Sequence, residues 1–283
     1  GPTGALHAVS DHCRFGRLGQ GLAKTGRIAD EAIARSLDIC RDYRAIIDQH
    51  QVSRVTVIAT QALREAANAL DFIGPAQQIL GATIEVIAGE REAELAFSAV
   101  AKTFPEMAFT PFVVVDVGGG STEIIATDGS RVVSAVSVPI GAVKLTERHI
   151  SSAPASAAER ASLEADIAAR LDALTLPRGV PMIAVAGTAT TLAAIRLGLT
   201  DYSADAVTGL RISRDALTEL YQRLSAMTVA ERLLIPGMVK ERADVLPAGV
   251  AILDGVARAL DASVMITCDR GIRWGVAFAN AAQ

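Results

Sequence analysis

From Ile28 to His50 the apolar positions Ile33, Leu37, Cys40, Tyr43 and Ile47 recur at steps of three and four residues, the spacing of one helical face. A helix is predicted there. RVTVIA, from Arg54 to Ala59, is short and β-branched and reads as a strand, and TQALREAANA behind it is rich in helix formers, with Thr60 placed to cap the first turn. The unit recurs as the strand ATIEVIAG and the helix EREAELAFSAVA, whose acidic first turn suits the positive end of a helix dipole. Strands alternating with helices predict an α/β fold with a largely parallel sheet.

The pattern changes near residue 110, where FPEMAFTP carries two prolines and the apolar strand FVVVDV begins. A domain boundary is placed there, giving 1–109 and 110–283; 283 residues at roughly 150 per domain also suggest two. STEIIAT and RVVSAVSV then read as strands flanking Asp128 and Gly129, a dipeptide favoured in tight hairpin turns. Beyond them come a helix from about Ser156 to Leu174, the strand PMIAVA, a helix from about Thr188, the strand AVTGLRIS and the helix SRDALTELYQRLSAM. KERADVLPAGVAILDGVARAL follows, with Pro247 tolerable near a helix start, then the strand SVMIT and a closing helix from Gly271.

Composition narrows the function classes. Apolar residues make up 51% and charged residues 20%, the usage of a chain that collapses to a core. The 27 basic against 31 acidic residues leave a net charge of −4, which argues against a surface built to coat nucleic acid, so any anion site is local. Cys13, Cys40 and Cys268 are odd in number and widely spaced, which fits a reducing cytoplasm better than a disulfide framework or a zinc site. The uncharged run GVPMIAVAGTATTLAAI approaches the length of a membrane span, yet Pro181, Gly187 and its threonines favour a buried strand, a glycine turn and a helix. GPTGALHAVSD has neither the basic segment nor the apolar stretch of a secretory signal.

Chemistry concentrates in VVVDVGGGSTEII. An apolar strand delivers Asp116, then Gly118, Gly119 and Gly120 can aim successive N–H groups into a concavity, and Ser121, Thr122 and Glu123 open the next strand. This reads as a phosphate loop in a hairpin; no GK[ST] follows, and it matches neither a Walker A loop nor GxGxxG. A tight turn that simply needs glycine is the plainer alternative, but carboxylates on both sides of an anion-sized turn are costly unless a metal or a positioned water uses them. In GEREAELAF the residues Glu90, Glu92 and Glu94 crowd a helix start, where acidic residues are favoured anyway, and spacing does not choose among them. In GTATTL a strand ends at Gly187 and a helix begins at Thr188; its free N–H groups suit an anion, and a plain threonine cap explains it equally well. Ser121 is a poor covalent nucleophile, because His7, His12, His50 and His149 show no motif spacing.

With these blocks in view the chain resembles the Ppx/GppA phosphatase family, the exopolyphosphatases and guanosine pentaphosphate phosphohydrolases of the actin-like, sugar-kinase and Hsp70 ATPase superfamily. The matching blocks are RLGQGLAKTG, ATQALREAANA, VIAGEREAELAF, VVVDVGGGSTEII, VPIGAVKLTE, AGTATTLAAI, KERADVLPAGVAIL and CDRGIRWGVAF, in the family's order. The resemblance implies an α/β fold of two actin-like (ribonuclease H-like) domains with an interdomain cleft, of the short two-domain type, the final helix packing back on the first domain. It implies a Mg²⁺-dependent site that hydrolyses a terminal phosphoanhydride bond of inorganic polyphosphate or guanosine pentaphosphate, in a cytoplasmic protein that engages no nucleic acid or membrane and can form a homodimer. A non-catalytic polyphosphate or nucleotide sensor is the rival.

Carried over by position, Glu92 matches the family's proposed catalytic base and Glu123 its second catalytic glutamate, also a metal candidate. Asp116 matches the carboxylate near the metal, Gly118, Gly119, Gly120 and Ser121 the second phosphate loop, and Arg64 the arginine of the ATxALREA block; Gly187 and Thr188 join the phosphate-binding set. Lys144, Arg242 and Arg273 are second-rank candidates for polyanion contacts, against surface solvation. Two departures stand out. Nothing in GPTGALHAVSDHCRFGRLG resembles the DIGTNS-like first phosphate loop of the family, and GEREAELAF replaces its frequent EEEAR pattern, with Arg91 before Glu92.

Overall fold

The computed structural model describes residue 6 and residues 8–281, so the position of His7 lies outside the described residues. The chain divides into two compact units, one running to Glu92 and resuming at Val276, the other from Ala93 to Gly275.

The first unit holds α1 (Leu22–Thr25), α2 (Asp30–Gln49), β1 (Val57–Ala59), α3 (Gln61–Glu65), α4 (Ala69–Leu80), β2 (Ile84–Val86) and the start of α5 (Gly89–Thr103). The predicted stripe of α2 buries Ile33 and Cys40 against Leu63, Phe72, Ala76 and Leu80. β1 and β2 pair in parallel, Val57 opposite Ile84. Buried Asn68 ties the starts of α2 and α4 together, accepting from Ile28 N–H at 2.8 Å and donating to Ile28 O at 3.0 Å. Two expectations need correction. Thr60 stands at the N-cap of α3 but its hydroxyl makes no capping bond. α4 has no counterpart in the sequence reading, and Pro75 lies inside it, where a proline removes one backbone donor that the packed Phe72, Ala76 and Leu80 face outweighs. From Val276 onward the chain groups with this unit, and Asn280 Nδ2 donates to Thr56 Oγ1 at 2.8 Å.

The second unit is built on β3 (Phe112–Val117), β4 (Thr122–Thr127) and β5 (Val132–Val138), followed by α6 (Ala142–His149), α7 (Ala157–Asp172), β6 (Met182–Val185), α8 (Ala186–Leu197), α9 (Ala204–Val207), β7 (Arg211–Ser213), α10 (Arg214–Ser225), α11 (Val229–Leu233), α12 (Leu246–Ala259), β8 (Val264–Thr267) and the start of α13 (Ile272–Ala281). Its six strands lie in the order β5-β4-β3-β6-β8-β7. The sheet is mixed: β3–β6 and β6–β8 are parallel, the β3–β4–β5 hairpins are antiparallel as the turn residues predict, and β7 lies antiparallel on β8. Alternation sorts its two faces. Val113, Val115, Val117, Ile124, Met182 and Met265 face a core shared with α6, α7, α8, α10 and α12. Phe112, Val114, Ile125, Ile183, Val185 and Ile266 face Ala93, Ala96 and Val100 of α5. That packing is why the division between units falls inside α5 and not at the proline-rich change of pattern near 110.

The uncharged run resolves into β6 and α8, and no helix among the described residues is long and apolar enough to cross a membrane. Of AVTGLRIS only Arg211–Ser213 is strand; Ala204–Val207 forms α9, with Ser203 capping it through Ala206 N–H. Pro247 sits in the first turn of α12, where its missing N–H costs nothing. The three cysteines are free thiols; burial pushes the Cys268 thiol up to about 11, which removes it as a nucleophile near neutral pH.

Ile183 is fully buried on the α5 side of the sheet. Ile183→Ala should lower stability by about 2–5 kcal/mol, read as a reduced urea midpoint at unchanged slope. An unmoved midpoint would contradict this packing.

Candidate functional site

β3 and β4 are joined by Gly118–Ser121, and the loop's backbone bonds decide what it can present. Gly118 N–H donates to Ser121 O at 2.9 Å, closing the turn. The carbonyl of Gly118 accepts from Ala142 N–H at 2.9 Å, and that of Gly119 accepts from Val143 and Lys144 N–H, each at 3.0 Å. These three donors open α6, where a helix leaves its N–H groups without internal partners. Across a trans peptide the carbonyl and the following N–H point in opposite directions, so the Gly119 and Gly120 amides are turned away from α6. Among the described residues neither donates to a backbone carbonyl. Gly118 therefore closes the turn, while Gly119 and Gly120 have their amides turned outward.

Gly141 makes the close approach possible. A Cβ at this position would lie 2.4 Å from the carbonyl carbon and oxygen of Gly119 and 2.5 Å from Gly120 N. Thr122 adds a second tie through its hydroxyl, which donates to Ile140 O at 2.6 Å.

The carboxylates flank this loop on one sheet face. Asp116 and Glu123 are directly opposite in the antiparallel register, Glu123 is opposite Ser137 of β5, and Asp116 is beside Val185 of β6. Like charges directly opposite across strands are destabilising, a cost that a cation or a polarised water would offset. Glu123 is buried, and its Oε1 accepts from Ser121 Oγ and Ser137 Oγ, both at 2.7 Å. The Ser121 hydroxyl is thus a donor to a carboxylate.

Val185 leads into α8, so Gly187 and Thr188 lie at the same end of the sheet as Asp116. Thr188 is not the cap: Val185 occupies the N-cap position, no side chain caps the helix, and the Thr188 hydroxyl reaches Val117 O at 3.4 Å. Arg242 lies against Gly187 so closely that a Cβ there would be 1.7 Å from Nη2 and 2.0 Å from Cζ. Of the three second-rank cations, Arg242 thus comes to the start of α8, while Lys144 contributes its backbone N–H to the loop. Arg273 opens α13, in the segment where Asp269 accepts from Tyr202.

In the first unit Arg64 of α3 and Glu92 of α5 come together. Arg64 Nη1 donates to Ile87 O at 2.6 Å and lies 3.9 Å from Glu92 Oε2. The Glu92 side chain is only 14% exposed, whereas Glu90 and Glu94 are exposed, which makes Glu92 the distinctive acid of the three.

A metal site must use what these strands offer. Among the described residues no group of three or more His, Cys, Asp or Glu is placed to hold an ion. Asp116 and Glu123 alone suit Mg²⁺, which typically takes one or two carboxylates and completes its shell with water and substrate phosphates.

Ser137 was not a candidate from sequence. A two-residue turn at Asp128–Gly129 places Ser134 opposite Glu123. The actual loop spans Asp128–Arg131, closed by Asp128 N–H to Arg131 O at 3.2 Å, and the register shifts at Ala126/Thr127. The Asp128 carboxyl organises this longer loop: the Ser130 hydroxyl and the amides of Ser130 and Arg131 hold it well below the usual carboxylate range.

Comparisons with known proteins identify the family. A model of the Ppx/GppA phosphatase family matches residues 2–283. The chain belongs to the Ppx/GppA phosphatase family. Exopolyphosphatase 2 of Mycobacterium tuberculosis is 38% identical over 268 residues, covering 91% of this chain and 83% of that protein. A Ppx/GppA family member from Aquifex aeolicus superposes with a TM-score of 0.80 at 29% identity, covering 95% of this chain and 87% of its own. An exopolyphosphatase from Cytophaga hutchinsonii does so at 0.83 and 28% identity, covering 94% and 86%. The α/β fold is therefore that of Ppx/GppA proteins, and the glycine hairpin belongs to a phosphatase.

Gly141→Ala should drive the loop off α6, costing about 1–3 kcal/mol and weakening pyrophosphate binding in calorimetry. Unchanged melting temperature together with unchanged affinity would contradict the geometry.

Proposed function

We propose that the protein is an exopolyphosphatase, releasing the terminal phosphate of inorganic polyphosphate by Mg²⁺-dependent hydrolysis. The observation that carries this reading is the glycine loop, whose carbonyls are tied to α6 and whose Gly119 and Gly120 amides are left to an anion. The 38% identical M. tuberculosis relative named an exopolyphosphatase supports the choice of substrate.

In this reading a terminal phosphate oxygen accepts from Gly119 and Gly120, with the uncapped first turn of α8 at Gly187 and Thr188 and the Arg242 guanidinium as further donors to the polyanion. Asp116 and Glu123 would hold Mg²⁺, which when bound neutralises charge on the phosphoryl oxygens. By its match to the family's base, Glu92 would orient and deprotonate the attacking water, and within its own unit Arg64, at 3.9 Å, keeps that carboxylate in place. Phosphoryl transfer asks for positioning and charge stabilisation more than for covalent chemistry, which suits a site of amides, carboxylates and guanidinium groups. Guanosine pentaphosphate presents the same terminal phosphoanhydride and is the alternative substrate. A polyphosphate-binding sensor is the reading left if binding occurs without cleavage.

Phosphate release should be measured with long-chain polyphosphate, guanosine pentaphosphate and ATP, each with Mg²⁺ or with chelator. Polyphosphate with Mg²⁺ should be fastest, and chelator should abolish release. Glu92→Gln should reduce turnover at saturating substrate by at least ~10². Release that survives chelation contradicts the metal role, near-normal turnover of Glu92→Gln moves the base elsewhere, and faster release from guanosine pentaphosphate reverses the substrate assignment.

A further inference from the structure

The hydroxyl of Ser137 has no role in the scheme above, yet it is aimed at the scheme's buried carboxylate. Ser137 lies on β5, the edge strand of the six-stranded sheet, where the residue itself is exposed. Sheet packing asks for no serine there, since β-branched residues fit an exposed edge position better. Its Oγ is nevertheless 2.7 Å from Glu123 Oε1, the same oxygen that accepts from Ser121 Oγ at 2.7 Å. Each hydroxyl has a single proton, and a carboxylate only accepts, so both protons are directed to Oε1.

The consequence lies at the other oxygen. Among the described residues Oε2 of Glu123 accepts no hydrogen bond from the protein, so two donors fix one end of the carboxylate and leave the other end to a cation or a water. The donors come from different places, one from the phosphate loop and one from the neighbouring strand. Together they limit rotation of the carboxylate, whose residue stands opposite Asp116 of β3. A single donor leaves rotation about that contact.

We infer that Ser137 is a positioning residue for phosphate release, acting through Oε1 of Glu123 to hold Oε2 in its working direction. This rests on the reading of Glu123 under the proposed function. Because the hydroxyl touches no substrate, losing it affects the reacting geometry more than substrate affinity. Because Ser121 and Ser137 serve one oxygen, their effects are coupled.

The test is steady-state phosphate release from polyphosphate by the full chain and by Ser137→Ala, Ser137→Thr, Ser121→Ala and the Ser121→Ala/Ser137→Ala pair, with melting temperatures for all. Ser137→Ala should lower kcat about tenfold with KM within about twofold and the melting temperature unmoved. Ser137→Thr, which keeps the hydroxyl on a strand-compatible side chain, should restore most of kcat, and the double variant should depart from the product of the single effects. Wild-type kcat in Ser137→Ala overturns the inference, as does a loss that Thr does not rescue or that follows melting temperature. If the wild-type chain itself releases no phosphate, the proposed function fails and the inference falls with it, an outcome distinct from an active wild type with an indifferent Ser137→Ala.

Discussion

A peptide plane has two ends, and fixing one fixes the other. In this protein the first N–H groups of α6 hold the carbonyls of Gly118 and Gly119, and the amides of Gly119 and Gly120 are thereby turned the opposite way. The donors at the start of α6 have no partners of their own helix, so the loop satisfies them while acquiring its orientation. The glycine at 141 is the steric condition, since any side chain there would meet the loop backbone. A glycine-rich turn without this support would sample many conformations; tied to α6, it is ordered before any ligand arrives, which lowers the entropic cost of binding an anion.

The sheet supplies the second condition. Strand pairing puts Asp116, Glu123 and Ser137 in one row across β3, β4 and β5, with Val185 and the start of α8 beside them. Two carboxylates directly opposite each other work against stability, and the hydroxyls of Ser121 and Ser137 orient one of them. The same face carries Phe112, Val114 and Ile125 beneath α5, so the charged row is the polar end of an otherwise apolar surface. α5 in turn carries Glu92, held beside Arg64.

Much of this was legible from residue order. The strand into Asp116, the glycine run and the strand from Thr122 came from residue type and turn chemistry, α2 from apolar spacing, and α5 from its helix formers and acidic first turn. What was not legible had identifiable causes. Strand order depends on long-range pairing, so the hairpins could be read from their turns but the antiparallel placement of β7 on β8 could not. Pro75 hid α4, because local propensity is overridden by the packed face around it. Gly118 looked equivalent to Gly119 and Gly120 until the turn's own hydrogen bond separated them. Ser137 was hidden by register: a four-residue loop in place of a two-residue turn, with the shift at Ala126/Thr127, changes which serine meets Glu123. Arg242 reaches Gly187 from far along the chain, and only the fold brings them together.

The central claim is that backbone donors of a preorganised glycine loop grip a phosphate oxygen. Titration of the ¹⁵N-labelled protein with tripolyphosphate, following assigned amide signals, tests it most directly. The Gly119 and Gly120 amides should shift strongly and saturably, while Gly118, already bonded within the turn, should shift less. Saturable binding that leaves Gly119 and Gly120 unmoved would contradict it.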